Sequence, residues 1–161
     1  MPSPSSINAG KTFRHDDLHL WLTDDKNMME LLQQVTYPLK DESYNWGKHI
    51  EIDQISREFP VYSAGRYLLG VCDCLVDYHI GKNKYALIIE LKPTLSSASG
   101  IIGQLKPYKD AIAELYWDRR NKKYLSEIKL AVVTFDNTEM MYKYDVIYEK
   151  EYITLYRVSK T

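Results

Sequence analysis

From His15 to about Val35 the apolar residues Leu18, Trp21, Leu22, Met28, Met29, Leu32 and Val35 recur at helical spacing, which predicts one or two amphipathic helices. Thr23-Asp24-Asp25 interrupts the pattern, and Thr23 or Asp24 can cap a second helix there. Tyr37-Pro38 ends it, because the residue before a proline is pushed out of the helical region. Three extended segments follow, at about 49–63, 66–80 and 84–92, each rich in Val, Ile, Tyr and Leu. The breaks at Ala64-Gly65 and Gly81-Lys82 make them a meander. After the Ser-rich loop Pro93–Ser99, residues Ile101, Leu105, Tyr108, Ile112 and Leu115 mark a helix over Gly100–Trp117 with one buried stripe. Ile128–Phe135 is apolar enough for a central strand, and Tyr152–Val158 adds an edge strand. Helix, three strands, helix, strand, strand is the order of an α+β sandwich, a mixed central sheet flanked by helices. Residues 1–14, with Pro, Ser, Asn and Gly and little periodicity, read as an N-terminal arm, and 15–161 as one domain.

Composition narrows the class. The chain has 161 residues, 45% hydrophobic and 27% charged, the balance of one soluble domain with a complete core. It shows no long apolar run and no basic segment with an apolar stretch at the start, so we expect an intracellular, cytoplasmic protein without a membrane span or secretory signal. No phosphate-binding G-x-x-x-x-G-K-[ST] loop is present, which excludes an NTP-driven machine of that kind and any nucleotide cofactor held that way. The net charge of −1 is an average. Residues 1–60 have six Lys/Arg against ten Asp/Glu, whereas Lys92–Lys129 has eight against four, a face open to a polyanion or simply to solvent. Cys72 and Cys74 stand at i and i+2 on a predicted strand, roughly 7 Å apart, too far for an unstrained disulfide. They are expected as free thiols in a reducing compartment rather than as ligands of zinc or an iron–sulfur cluster. His15, His19, His49 and His79 are read as showing no H-x-x-x-H or other ligand spacing, and none is assigned to a site.

The chemistry lies in the hairpin at Gly81. A type II′ turn with Gly81-Lys82 at its centre pairs Ile80 with Asn83, and the same register sets Asp73 opposite Glu90. Opposed side chains share a face with Cβ atoms roughly 5 Å apart, where two ionised carboxylates repel unless a cation lies between them. Lys92, two residues beyond Glu90, projects from the same face. Centring the turn on Lys82-Asn83 instead would set Asp73 opposite Lys92 as an ordinary ion pair, but that turn needs positive φ where Lys accepts it poorly. Two carboxylates beside a lysine suit Mg²⁺-assisted phosphodiester hydrolysis, and the bland alternative is a salt bridge at a sheet end.

Gly70-Val71-Cys72-Asp73, then Ile88-Ile89-Glu90-Leu91-Lys92, then Gln104-Leu105-Lys106-Pro107-Tyr108 resembles the PD-(D/E)XK nuclease superfamily, in particular its RecB-like branch with G-x-x-D, (D/E)-x-K and Q-x-x-x-Y. The resemblance runs from Gly70 to Tyr108, and Cys72-Asp73 departs from the Pro-Asp of the family's name. It implies a restriction-endonuclease-like core in which Asp73, Glu90 and the carbonyl of Leu91 bind Mg²⁺, with Mn²⁺ as a substitute, and Lys92 is the catalytic lysine. It further implies that Gln104 and Tyr108 line the site or touch the nucleic-acid backbone, and that an upstream Glu completes it. Glu30 is the candidate, with Glu58 and Glu51 as alternatives. Lys106, Lys109, Arg119, Arg120, Lys122 and Lys123 form either a phosphate-contacting rim or a solvated face. The function implied is a Mg²⁺-dependent nuclease cutting DNA, endonuclease before exonuclease. The alternatives are an RNA endonuclease with the same site, a non-catalytic nucleic-acid-binding or assembly module of the same fold, and an unrelated domain with a chance salt bridge. One site per chain makes a homodimer, or successive nicks, the route to cutting both strands.

Overall fold

The computed structural model describes residues 14–37, 50–63, 66–95, 98–116, 127–135 and 141–158. Almost all of the expected N-terminal arm, His49, and the basic run Arg119, Arg120, Lys122 and Lys123 lie outside the described residues. In chain order the elements are α1 (His15–Leu22), α2 (Asp25–Thr36), β1 (Ile50–Tyr62), β2 (Leu68–Ile80), β3 (Asn83–Leu91), α3 (Ala98–Tyr116), β4 (Glu127–Thr134), α4 (Met141–Lys150) and β5 (Ile153–Arg157). The sheet order is β1-β2-β3-β4-β5, antiparallel from β1 to β3 and parallel from β3 to β5, so the fold is α+β around a mixed sheet.

The expected interruption between the first two helices is present. The Asp24 carboxylate caps α2 by accepting from the Lys26 N–H at 2.8 Å, and Asp17 accepts from the Arg14 N–H at 2.9 Å at the start of α1. Leu18 and Leu22 of α1 and Met28, Leu31, Leu32 and Val35 of α2 bury one side of the sheet against Cys74, Val76, Leu87, Ile89, Leu91, Ala131 and Val133. Ile101, Leu105, Tyr108 and Ile112 of α3, with Tyr148 of α4, bury the other against Cys72, Leu75, Ala86, Ile88, Leu130 and Val132. β3 is thus covered on both faces, which is why it reads as the unbroken apolar run Ala86-Leu87-Ile88-Ile89. Each of the Leu, Ile, Val and Met side chains among them adds about 1.5–3 kcal/mol by leaving water.

Two sequence expectations are corrected. Residues 141–150, to which the sequence pattern assigns no element, form α4. Its pattern misleads because Val146 and Ile147 are exposed while Tyr148 is buried, but a parallel β4–β5 pair requires a crossover connection, and α4 supplies it. Leu115, placed on the buried stripe of α3, faces solvent near the end of the helix. Among the described residues, no helix is long and apolar enough to cross a membrane.

Candidate functional site

The β2–β3 register is the one expected from a turn at Gly81-Lys82: Ile80 pairs with Asn83 and the ladder continues to Cys74 opposite Ile89. Gly81 has φ +59, whereas Lys82 is not among the residues of positive φ, as a type II′ turn requires. At the next position the ladder gives way to side chains. The Asp73 N–H donates to Glu90 Oε1 at 3.3 Å, and the Leu91 N–H donates to Asp73 Oδ2 at 2.7 Å. The two carboxyl groups therefore meet where the strands part.

A distortion in the neighbouring strand turns Asp73 into this position. Arg57 pairs with Cys74 and Phe59 with Cys72, so Glu58 is level with Asp73. Cys74 packs on the side of α1 and α2, yet Cys72 packs on the side of α3, although residues two apart on a flat strand share a face. The ribbon rotates at the Glu58–Asp73 level, and Glu58 takes φ +48 there. The two thiols, both buried and free, are thereby held in separate cores. Burial pushes the Cys74 thiol up to about 11 and raises Cys72 further, so neither is a ready thiolate.

Glu90 is 2% exposed. Burial first, and the Asp73 carboxylate second, push it up to about 8, while the Asp73 N–H and the charge of Lys92 pull the other way. A glutamate so placed favours its neutral form until a cation joins it. On the α3 side, Gln104 Nε2 donates to the Tyr108 hydroxyl at 3.2 Å. That hydroxyl lies over Gly70, where a Cβ would stand only 2.1 Å from it. The three motif segments are thus in physical contact: the glycine of G-x-x-D makes room for the tyrosine of Q-x-x-x-Y.

Two of the histidines assigned to no site are brought by α1 to Asp73. His15 Nε2 lies 2.9 Å and His19 Nε2 3.7 Å from Asp73 Oδ1. One donor atom from each of His15, His19 and Asp73 falls within 4.8 Å of the others, a group able to hold a metal ion. The imidazoles are edge-to-face, with centroids 4.6 Å apart, and His19 Nε2 is buried without a hydrogen-bond partner among the described residues. The sequence signal was present: His15 and His19 stand at H-x-x-x-H spacing, which places both on one helix face.

The other expected residues scatter. Tyr156 of β5 donates to Glu30 Oε2 at 3.5 Å, and Tyr156 lies two strands from Leu91 through Val133. Glu51 pairs with His79 near the opposite end of β2. Of the three upstream acids, the register brings Glu58 level with Asp73. Lys106 pairs with Glu151, tying α3 to the α4–β5 turn, while Lys109 is exposed.

No family model matches the chain, and no curated protein matches it. Among solved structures, a repair endonuclease from Pyrococcus abyssi aligns over 86% of this chain and 48% of its own with 18% identity and a TM-score of 0.44. The chain spans about half the length of that protein, and a likeness at this TM-score carries no argument for fold or function.

Proposed function

We propose that the chain is a metal-dependent nuclease that hydrolyses DNA phosphodiester bonds where β2, β3 and α1 meet. The observation that carries this reading is Asp73, which touches the buried Glu90 and Leu91 through one side and two imidazoles through the other. The donors fit a divalent ion: two close carboxyls repel when ionised, and the buried His19 Nε2 has no hydrogen-bond partner among the described residues. Asp73, His15 and His19 would hold the ion, with Glu90 and the Leu91 carbonyl supplying further oxygen. Imidazole nitrogens in the set favour Mn²⁺ over Mg²⁺, which prefers oxygen donors.

A divalent ion supplies Lewis acidity toward a phosphoryl oxygen and makes water more acidic. Lys92, drawn toward Glu90 by charge, orients the attacking water or the phosphate through its ammonium. Gln104 and Tyr108 offer an amide and a hydroxyl to the backbone of the bound strand. Glu58 takes the upstream-acid role in preference to Glu30. The resemblance to RecB-like nucleases agrees with these roles for Asp73, Glu90, Leu91 and Lys92.

The test is cleavage of labelled single-stranded, duplex and branched DNA and of RNA, with Mg²⁺, Mn²⁺ or EDTA, beside Glu90→Ala and Lys92→Ala. Metal-dependent DNA cleavage abolished by both substitutions is expected. Cutting that survives Glu90→Ala or ignores EDTA would refute the site, and binding without cutting in every metal would favour a non-catalytic module.

A further inference from the structure

β1 and β2 outrun the rest of the sheet. The β2–β3 ladder stops at Cys74, but β1 and β2 stay paired through Phe59 with Cys72, Pro60 with Val71, Val61 with Gly70 and Tyr62 with Leu68. One side of this ribbon is covered by the core beneath α3, which takes Phe59, Val61, Cys72 and the Tyr108 hydroxyl over Gly70. The opposite side is bare: Tyr62, Leu68 and Val71 are 54%, 57% and 47% exposed, and Tyr67 at the tip is 77% exposed. The bare side begins beside Asp73 and extends about 17 Å along the strand at 3.3 Å per residue.

The tip is tightly made. The Arg66 N–H donates to the Ser63 carbonyl at 2.8 Å, and the Ser63 N–H donates to the Tyr67 carbonyl at 2.8 Å. Arg66 holds φ +67, a left-handed value that glycine usually fills. Arg66 is also the only charged residue between Phe59 and Cys72. Arg66 thus holds a strained backbone next in sequence to the exposed Tyr67, on a ribbon without acids.

We propose that this ribbon is a stacking shelf for unpaired nucleic acid, with Tyr62 and Tyr67 against bases and Arg66 against phosphate, feeding a strand to Asp73. The proposal rests on the nuclease reading and adds the substrate class, unpaired bases next to the scissile phosphate. Flat aromatic faces accept any base, and a cation nearby accepts the backbone. Continuity with the Asp73 site and the lack of acids favour nucleic acid over a second copy of this chain.

The experiment measures binding of a labelled oligothymidylate and of a labelled duplex of equal length by fluorescence anisotropy in EDTA, so that no cutting intervenes. Tyr62→Ala/Tyr67→Ala is expected to weaken single-strand binding roughly tenfold per ring lost, with duplex binding unchanged, and Tyr62→Phe/Tyr67→Phe to keep it. Both tyrosines are exposed, and a thermal melt checks that the variants fold. Unchanged single-strand binding by the alanine pair overturns the shelf, even if the unmutated protein cuts DNA. A shelf-dependent single-strand affinity in a protein that cuts nothing upholds the shelf and sinks the nuclease reading. No binding to either probe by the unmutated protein overturns the shelf. Sedimentation showing a dimer that the alanine pair dissolves, with nucleic-acid binding unaltered, assigns the ribbon to self-association instead.

Discussion

Gly70→Ala asks whether the first and last motif segments are joined by a physical contact. The added Cβ would stand 2.1 Å from the Tyr108 hydroxyl oxygen, 3.1 Å from Cζ and 3.5 Å from Cε1. Tyr108 is 2% exposed and packed among Leu105, Ile112 and Cys72, so the ring cannot withdraw by the ångström required without displacing the core. Overpacking of this kind costs about 1–3 kcal/mol. In a domain of this size that lowers the melting temperature by about 2–12 °C. Tyr108→Phe removes the clashing oxygen and leaves Cζ at 3.1 Å, a contact that a shift of a few tenths of an ångström relieves. On its own that change gives up the hydrogen bond from Gln104, worth about 0.5–1.5 kcal/mol. Thermal melts of the two single variants and the double variant form a cycle, and the double variant is expected to melt above Gly70→Ala. If it melts no higher, the glycine serves its own backbone and the proposed contact between the motifs is wrong.

Other expectations concern charge and metal. The folded-state value of Glu90, about 8, lies above the ordinary 4.5, so the metal-free fold holds an extra proton. The stability this group contributes is complete below about pH 4.5 and is lost as pH rises through 8, with a slope of up to about 1.4 kcal/mol per pH unit. Urea midpoints measured in EDTA across that range should fall with pH, and should fall less steeply in Glu90→Gln. Mn²⁺ should raise the melting temperature more at pH 8 than at pH 6, because the raised Glu90 carboxyl holds its proton against the ion at the lower pH; an equal shift at both would count against Glu90 as a ligand. His19→Ala should weaken Mn²⁺ binding, read by calorimetry, by at least the roughly 10–100-fold that outer-shell partners cost. Glu30→Gln should leave cleavage unaltered while Glu58→Gln lowers it, and the reverse pattern would restore Glu30 to the site.

How much of this was legible depends on the range of each signal. The β2–β3 register was readable because one local feature, glycine at the first central position of a two-residue turn, fixes every pair up to Cys74 and Ile89. The first helix pair was readable for the same reason, through Asp24 and the apolar spacing around it. α4 was not, since its stripe is weak and its existence follows from β5 pairing parallel to β4, a fact of topology. The contact of Glu30 with Tyr156 could not be read either, because periodicity says which helix face is buried but not which strand the opposite face meets.

The site itself sits where regular alternation fails. Alternation puts Cys72 and Cys74 on one face; the structure puts them in different cores, with Glu58 at φ +48 and Asp73 between. A regular strand would have spent the Asp73 N–H on the Ile89–Leu91 stretch of the ladder. Instead it goes to Glu90 Oε1, and the Asp73 carboxylate reaches both the Leu91 N–H and the imidazoles of α1. Local rules are broken at the point where the proposed chemistry would need two carboxyls and two histidines close together, the level at which natural folds tolerate such violations. His15 and His19 could be paired with each other from their spacing, but pairing them with Asp73 required the rotation of the ribbon. Straightening that rotation therefore tests whether it aims the site. Glu58→Pro would bar the positive φ while Glu58→Gln removes the carboxylate alone, and the expected outcome is a loss of Mn²⁺ binding in Glu58→Pro well beyond that in Glu58→Gln, with the β2–β3 pairing intact by amide exchange. Retained metal affinity in a folded Glu58→Pro protein would show that the bend has no part in placing Asp73.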